Sequence, residues 1–359
     1  MQPMFRTPLL SLAAVFGLGL SSALAAGLPA TSAQATAPSA ATTPHAAAAA
    51  HVAGPLAMPT FKPLRKHPVV ALSFDDLPAA GGLRPGESRV SILTALSHEL
   101  RAAHMKGVYG YVNAVDLPGD PDCQHALEIW MRAGMRLGSH TWSHPALDDV
   151  TASAYEANIA KNEPYVQQYA DANGKKTDWH WFRYPYLEEG NTAEKHEDVR
   201  RWLRAHGYRV AEVTLNFNDD DWGDAYLRCK EKGDTAGIDW LEKSYLASAA
   251  AYIPVERQRE QIAFGHEIPN VLLLHGTEFT TLMLPRLITL LRSEGFRFST
   301  VPKVERNRAY RTDPVVGIPG GANFTNEVLA MRGIKVPYPK ALSEPHAKLD
   351  SICGGESGE

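Results

Sequence analysis

Between residues 67 and 301 short apolar runs alternate with stretches of helical periodicity, and most of the runs end in a polar cluster. The runs at 69–73, 108–112, 135–138, 179–182, 208–215, 271–274 and 296–301 have the length and the β-branched or aromatic content of strands. The segments 89–105, 124–132, 151–170, 194–205 and 279–293 read as helices. In the first of them Val90, Leu93, Leu96 and Leu100 share one face before Gly107 breaks the pattern. Such alternation predicts an α/β fold, a parallel sheet with helices packed on its outside. An open doubly wound sheet and a closed barrel both fit it. Polar motifs at five strand ends favour the barrel, because the carboxyl ends of its strands meet around one mouth. Residues 224–266 carry helical stretches at 240–252 and 257–264 with no strand between them, and read as a helical insertion before the last strands.

Two of the polar clusters have the composition of a metal site. Residues 138–145 read GSHTWSHP, placing His140 and His144 four apart, so they can converge on one ion if the backbone is helical or tightly turned. Residues 69–76 read VVALSFDD, and an apolar run that stops at two adjacent carboxylates is hard to explain as core. Alternation along a strand sends Asp75 and Asp76 in different directions, one free to bind a metal and the other to face a substrate. Two histidines and one carboxylate leave an open position, the pattern of hydrolytic zinc. Each feature has a plainer reading on its own: a helix cap for the carboxylates, a surface turn for a histidine pair in a chain with 14 His, an ordinary core histidine for His275. Non-haem iron oxygenases use the same ligand set, but usually on an all-β scaffold. A glycosidase built on two carboxylates would leave the paired histidines unexplained.

A chain of 359 residues with 44% hydrophobic content can bury a large core, and a net charge of −4 supplies no basic field for nucleic acid or anionic membrane. No nucleic-acid partner is expected, and a neutral or polar substrate is. Residues 1–25 read as a signal peptide: Arg6, an apolar run over 8–20, then Ala23-Leu24-Ala25 at cleavage-site spacing. That run is short for the roughly 20 residues of a membrane span. The expectation is an exported protein, periplasmic or secreted, with no transmembrane segment after cleavage. Residues 26–62 read as an Ala/Pro/Thr-rich linker, and 303–359 as an irregular tail. Cys123, Cys229 and Cys353 suit one disulfide and one free thiol, with no spacing that selects the pair.

Taken in order, Ser73-Phe74-Asp75-Asp76, His140-Thr141-Trp142-Ser143-His144, Arg183-Tyr184-Pro185-Tyr186, Asp221-Trp222 and Leu273-Leu274-His275 resemble the five motifs of the polysaccharide deacetylase family, the NodB-homology domain of carbohydrate esterase family 4. The resemblance covers a domain at 63–302 and implies that family's distorted (β/α) barrel. It implies that Asp75 is the general base and that Asp76, His140 and His144 hold a divalent metal. Zinc is the default, and cobalt, nickel or iron suit the same ligands. Arg183 would orient Asp75, the backbone near Tyr186 would help bind the oxyanion, and Asp221 would pair with His275 as the general acid. Trp222 and Leu273 would wall the acetyl pocket, and Asp219 or Asp220 would be a solvated part of its loop.

The implied reaction is hydrolysis, by metal-bound water, of acetyl groups on an N-acetylated polysaccharide or oligosaccharide such as peptidoglycan or chitin. An O-deacetylase of acetylated xylan would use the same residues. A non-catalytic carbohydrate-binding relative would lack a ligand, base or acid, and none is missing. Two departures stand out: Leu77-Pro78 where the family usually has Gly, and Asn218 where its fourth motif often begins with Asp. Both reshape the mouth without removing a reactive group.

Overall fold

The computed structural model describes residues 62–78, 80–83, 87–171 and 177–354, all within the compact unit Met58–Glu359. The expected signal peptide and nearly all of the linker lie outside the described residues. Seven parallel strands form one sheet in the order β5-β4-β3-β2-β1-β6, with β7 also paired to β1. They are β1 (Val69–Leu77), β2 (Tyr109–Val112), β3 (Arg136–Ser139), β4 (Trp181–Phe182), β5 (Arg209–Val210), β6 (Asn270–His275) and β7 (Arg297–Phe298). Just past β5, Leu215 makes a parallel bridge to Leu272 of β6. The chain leaving one edge of the sheet thus reaches the strand at the other, and the sheet curls into a distorted (β/α) barrel.

Strand alternation divides the core in two. Val70, Leu72 and Phe74 of β1 point outward into the main cluster, where Leu93, Leu96 and Leu127 pack on them from the helices. Ala71 points inward with Tyr109, Tyr111, Trp181 and Val271. β1 is therefore buried on both faces, as its unbroken apolar run requires. The barrel interior is tight at Gly138, where a Cβ would lie 2.6 Å from the Trp181 carbonyl oxygen and from the Tyr111 ring.

The helices begin where side chains can satisfy their first N–H groups. Ser88 and Ser91 form a reciprocal cap on α1 (Arg89–Ala102), Asp120 caps α2 (Pro121–Arg132), and Thr192 caps α4 (Ala193–Ala205). α3 (Ala152–Asp171) runs through Pro164 without a break. The insertion is better ordered than its sequence suggests. After α5 (Asp220–Glu231), the two expected helical stretches are one 30-residue helix, α6 (Thr235–Phe264), that continues through Pro254. Leu241, Tyr245, Ala249 and Ile253 recur every four residues on its buried face, so packing on both sides outweighs the hydrogen bond the proline removes. α7 (Glu278–Ser293) completes the outer layer. Among the described residues no helix is long and apolar enough to cross a membrane.

The expected irregular tail is corrected by the structure. It holds α8 (Val301–Val304), α9 (Phe324–Met331) and α10 (Glu344–Ser351), and it buries Phe324, Val328, Leu329 and Leu349. Its many Pro and Gly residues make turns between short helices rather than a loose coil. Residues 318–322 cross the loop after β4: Ile318 N–H donates to the Gly190 carbonyl and Ala322 N–H to that of Leu187, each over 3.2 Å. Gly321 (φ 74°) is required there, since a Cβ would lie 2.4 Å from the Tyr186 carbonyl oxygen. A disulfide joins Cys229 of α5 to Cys353, and Cys123 is a buried free thiol.

Candidate active site

The five motifs meet at the carboxyl mouth of the barrel. Non-glycine residues with positive φ gather there too: Asp76, Thr141, His144, Tyr186, Leu187 and Asn218. Backbone held in this sparsely populated region has to be over-determined by its surroundings, and such residues cluster at functional sites.

Asp76 (φ 59°) is the first of them, and it corrects the expectation that the two carboxylates diverge. Its left-handed conformation coincides with a break in the β1–β2 register between Phe74 and Leu77, so strict alternation stops at Asp75. Both carboxylates then face one centre. Asp76 Oδ1 lies 3.3 Å from His140 Nε2 and 3.2 Å from His144 Nε2, and Asp75 Oδ2 lies 3.9 Å from the same His140 nitrogen. The histidines converge through a tight turn rather than a helix, with Thr141 at φ 67° and His144 at φ 55°.

The frame around this turn comes largely from three asparagines whose importance was not read in the sequence. Asn158 Oδ1 accepts from Trp142 N–H (2.7 Å) and Ser143 N–H (3.1 Å). Asn113 donates to the carbonyls of His140 and Thr141. Asn162, fully buried, donates to the Val112 carbonyl (2.7 Å) and Ser139 Oγ (3.0 Å) and accepts from Ala114 N–H (3.1 Å). The i, i+4 pair Asn158 and Asn162 on the inner face of α3 was the available signal.

The donor set fits a divalent cation. His140 Nδ1 lies 2.8 Å from the Arg183 carbonyl oxygen, which can only accept, so that nitrogen carries a proton and a neutral ring turns the Nε2 lone pair toward Asp76. Burial, and then the neighbouring His140, push the His144 pKa down to about 4, so this ring is neutral at pH 7. Burial works to raise the Asp76 carboxyl, but His140, His275 and His144 together hold it well below the usual carboxylate range. Asp76 Oδ1 is buried and has no hydrogen-bond partner. Three acceptor atoms facing one another across little more than 3 Å are what a cation would satisfy.

On one side of this centre Asp75, 2% exposed, is held by Arg183 Nη1 at 3.0 and 3.1 Å. Arg183 fills the barrel interior. It donates from Nε to the Ala211 carbonyl and from Nη2 to Ser73 Oγ, and its guanidinium lies 4.6 Å from the Tyr111 ring centroid. On the other side stands His275, opposite Asp75 in the β1–β6 register. Its Nε2 is 4.0 Å from Asp76 Oδ2.

The partner of His275 is not the one expected. Asp219, fully buried, accepts from the ring at Nδ1 (2.8 Å), from the His275 main-chain N–H (3.0 Å) and from Thr280 Oγ1 (2.7 Å). Burial opposes charge on the imidazole, but Asp219, and less strongly Asp220 and Asp76, hold its pKa well above the usual histidine value. Asp221 instead pairs with His346 of α10, at 2.6 Å. The reason lies in the helix: α5 begins at Asp220, so the chain turns outward before Asp221, leaving Asp219 hydrogen-bonded beneath His275 and Asp220 Oδ1 3.6 Å from its Nδ1.

Trp222 is likewise displaced from its expected place in the pocket wall. It is fully buried between α5 and α6, donates to Ser244 Oγ (2.9 Å) and packs against Phe217 and Tyr245. Leu273 is buried on β6 two residues before His275, on the same inward face. Tyr186 is 59% exposed, with its ring 4.4 Å from that of His144.

A (β/α) barrel with a candidate divalent-metal centre at its carboxyl mouth is thus the class that fold and site define. The family model described as polysaccharide deacetylase matches residues 63–211 of the chain. The match takes in Asp75, Asp76, His140, His144, Arg183 and Tyr186, and stops before Asp219, His275, α6 and the C-terminal helices.

Three solved structures illustrate the likeness. The chitin deacetylase of the fungus Colletotrichum lindemuthianum is 17% identical, over 66% of this chain and 88% of that one, with a TM-score of 0.45. A family 4 carbohydrate esterase from Streptomyces lividans, in complex with acetate, is 18% identical over 65% and 92%, TM-score 0.39. A family 4 pseudoenzyme from Bacillus anthracis is 14% identical over 66% and 65%, TM-score 0.41.

Proposed function

We propose that this protein is a metal-dependent hydrolase that removes acetyl groups from an N-acetylated polysaccharide, peptidoglycan or a chitin-like chain. The observation that carries this reading is the placement of a clamped carboxylate and a carboxylate-backed imidazole on opposite sides of the Asp76, His140 and His144 cluster. A divalent metal held by those three residues, with zinc the natural choice for two imidazoles and a carboxylate, would polarise the acetyl carbonyl and lower the pKa of water.

The remaining work falls to side chains. Asp75 is kept aimed by Arg183 and takes a proton from the attacking water. Water oxygen bonds to the carbonyl carbon, the carbon–nitrogen bond breaks, and acetate departs. His275, held charged by Asp219, delivers a proton from Nε2 to the leaving amine. Leu273, on the face that carries His275, offers the apolar surface against which an acetyl methyl fits. The site of action is outside the cytoplasm. Residues 1–25 have the form of an export signal, and a disulfide between Cys229 and Cys353 suits an oxidising compartment.

The test is acetate release from N-acetylglucosamine oligomers and acetylated xylan by protein loaded with zinc, by protein stripped with a chelator, and by Asp75→Asn. Release only from loaded, unaltered protein is the expected result, with a loss of about 10²–10⁴-fold for Asp75→Asn. Release that survives the chelator would sink the metal-dependent mechanism. Faster release from xylan would move the substrate to an O-acetylated one.

A further inference from the structure

Beside the mouth, α6 and the C-terminal segment enclose a cavity of about 430 Å³, within the roughly 300–1,000 Å³ range of small-molecule pockets. Neither of its walls belongs to the stretch matched by the family model. It begins one residue from the catalytic machinery: Asn218 lines it, and the next residue, Asp219, holds His275. We infer that this cavity is a saccharide-binding subsite that takes N-acetylated units of the chain being deacetylated.

Three features of the lining point to a sugar. Tyr252 and Tyr338 present nearly parallel rings, centroids 6.0 Å apart and planes 17° apart, apolar faces of the kind against which a sugar ring rests. Asn216 and Asn218 bring side-chain amides to the same walls, groups that pair with hydroxyl and acetamide groups alike, while Asn323 and Asn326 direct theirs to Tyr252, Tyr338, Arg259 and the start of α9. Ser248 of α6 contributes a hydroxyl that is buried without a hydrogen-bond partner although its residue lies on the cavity wall. A buried hydroxyl left unpaired is costly, and a turn of the Ser248 side chain toward the cavity would let a ligand hydroxyl or carbonyl satisfy it.

Charge sets the preference. The lining includes Lys340 and His346 and no carboxylate; Asp221, paired with His346, and Glu256, bonded to Tyr338, stand behind it, so Lys340 is the charge that disfavours the cationic amines that deacetylation leaves behind. Acetylated units bind and deacetylated ones leave, which would direct the protein along fresh polymer. The ligand class rests on the deacetylase reading; the cavity and its unpaired hydroxyl do not.

Calorimetry on the full chain separates the two. The probes are the tetramer of N-acetylglucosamine and the corresponding glucosamine tetramer, and the variants are Ser248→Leu, which fills the cavity without breaking a hydrogen bond, and Tyr338→Ala, which empties it. The expected result is binding of the acetylated tetramer, weaker by roughly tenfold in both variants, the scale of losing one good aromatic contact. Unfolding midpoints identify a variant that fails to fold, and the other then decides. Equal affinity for the acetylated tetramer across folded variants would overturn the subsite, as would no binding by the unaltered protein. Equal or tighter binding of the glucosamine tetramer would overturn its selectivity for acetylated units. Absence of acetate release with tetramer binding intact would count against the deacetylase reading alone.

Discussion

Two carboxylates two positions apart illustrate how much a single residue decides here. Asp219 sits under His275 with no solvent exposure, whereas Asp221 faces outward to His346. Removing the Asp219 charge takes away the main influence that keeps the His275 imidazolium stable against burial, so the His275 pKa falls. For a group acting as the acid, the alkaline limb of the pH–rate profile then moves to lower pH. Asp219→Asn is expected to shift that limb down and to cut acetate release at neutral pH by about 10–100-fold, while Asp221→Asn leaves the profile in place. A profile moved by Asp221→Asn and not by Asp219→Asn would return the pairing to the motif's last Asp. Motif spacing does not distinguish the two, because the choice depends on where α5 starts, and a run of three Asp residues offers three possible first turns.

At the scale of elements, the barrel was legible and its supports were not. Strand runs such as 69–73 and 271–274 were read with short errors at their ends, since apolar length and flanking polar clusters mark a buried parallel strand. The extension of β1 to Leu77 was hidden, because nothing in the letters shows that Asp76 takes a left-handed conformation. Asn113, Asn158 and Asn162 were passed over because an asparagine in a helix or loop reads as surface until burial is known. Their weight can be measured. Asn162→Leu removes three hydrogen bonds that join α3, β2 and β3, and leaves the Ala114 N–H unpaired, while the Val112 carbonyl keeps the N–H of His140. A loss of about 2–4 kcal/mol in denaturant unfolding is expected. A change below about 0.5 kcal/mol would mean that water replaces the amide and that α3 does not hold the histidine turn.

Across the whole molecule, the C-terminal segment was the main misreading. Its Pro and Gly content resembles that of a trailing end, yet three short helices pack back on the barrel and a disulfide closes the stretch from α5 to Cys353. A sequence window cannot see that Phe324 and Val328 find their apolar partners near Ala263 and Ile268, some 60 residues earlier. Linking residues 124 apart in sequence restricts the unfolded chain strongly, so Cys353→Ser is expected to cost about 2–4 kcal/mol and to lower the unfolding midpoint by several degrees. An unchanged midpoint would show that the helices dock without the crosslink. The candidate chemistry was more legible than this architecture, because its reactive side chains stand in short motifs while their support is spread over the chain.

The crossing of residues 318–322 over the loop after β4 bears on what could be transplanted. A designer who grafted the barrel alone, ending after β7, would carry over every reactive side chain named above. The loop bearing Tyr186 and Leu187 would nonetheless lose the strap formed by Ile318, Gly321 and Ala322. The smallest portable catalyst is therefore larger than its catalogue of motifs, and the last fifty residues travel with it as part of the mould.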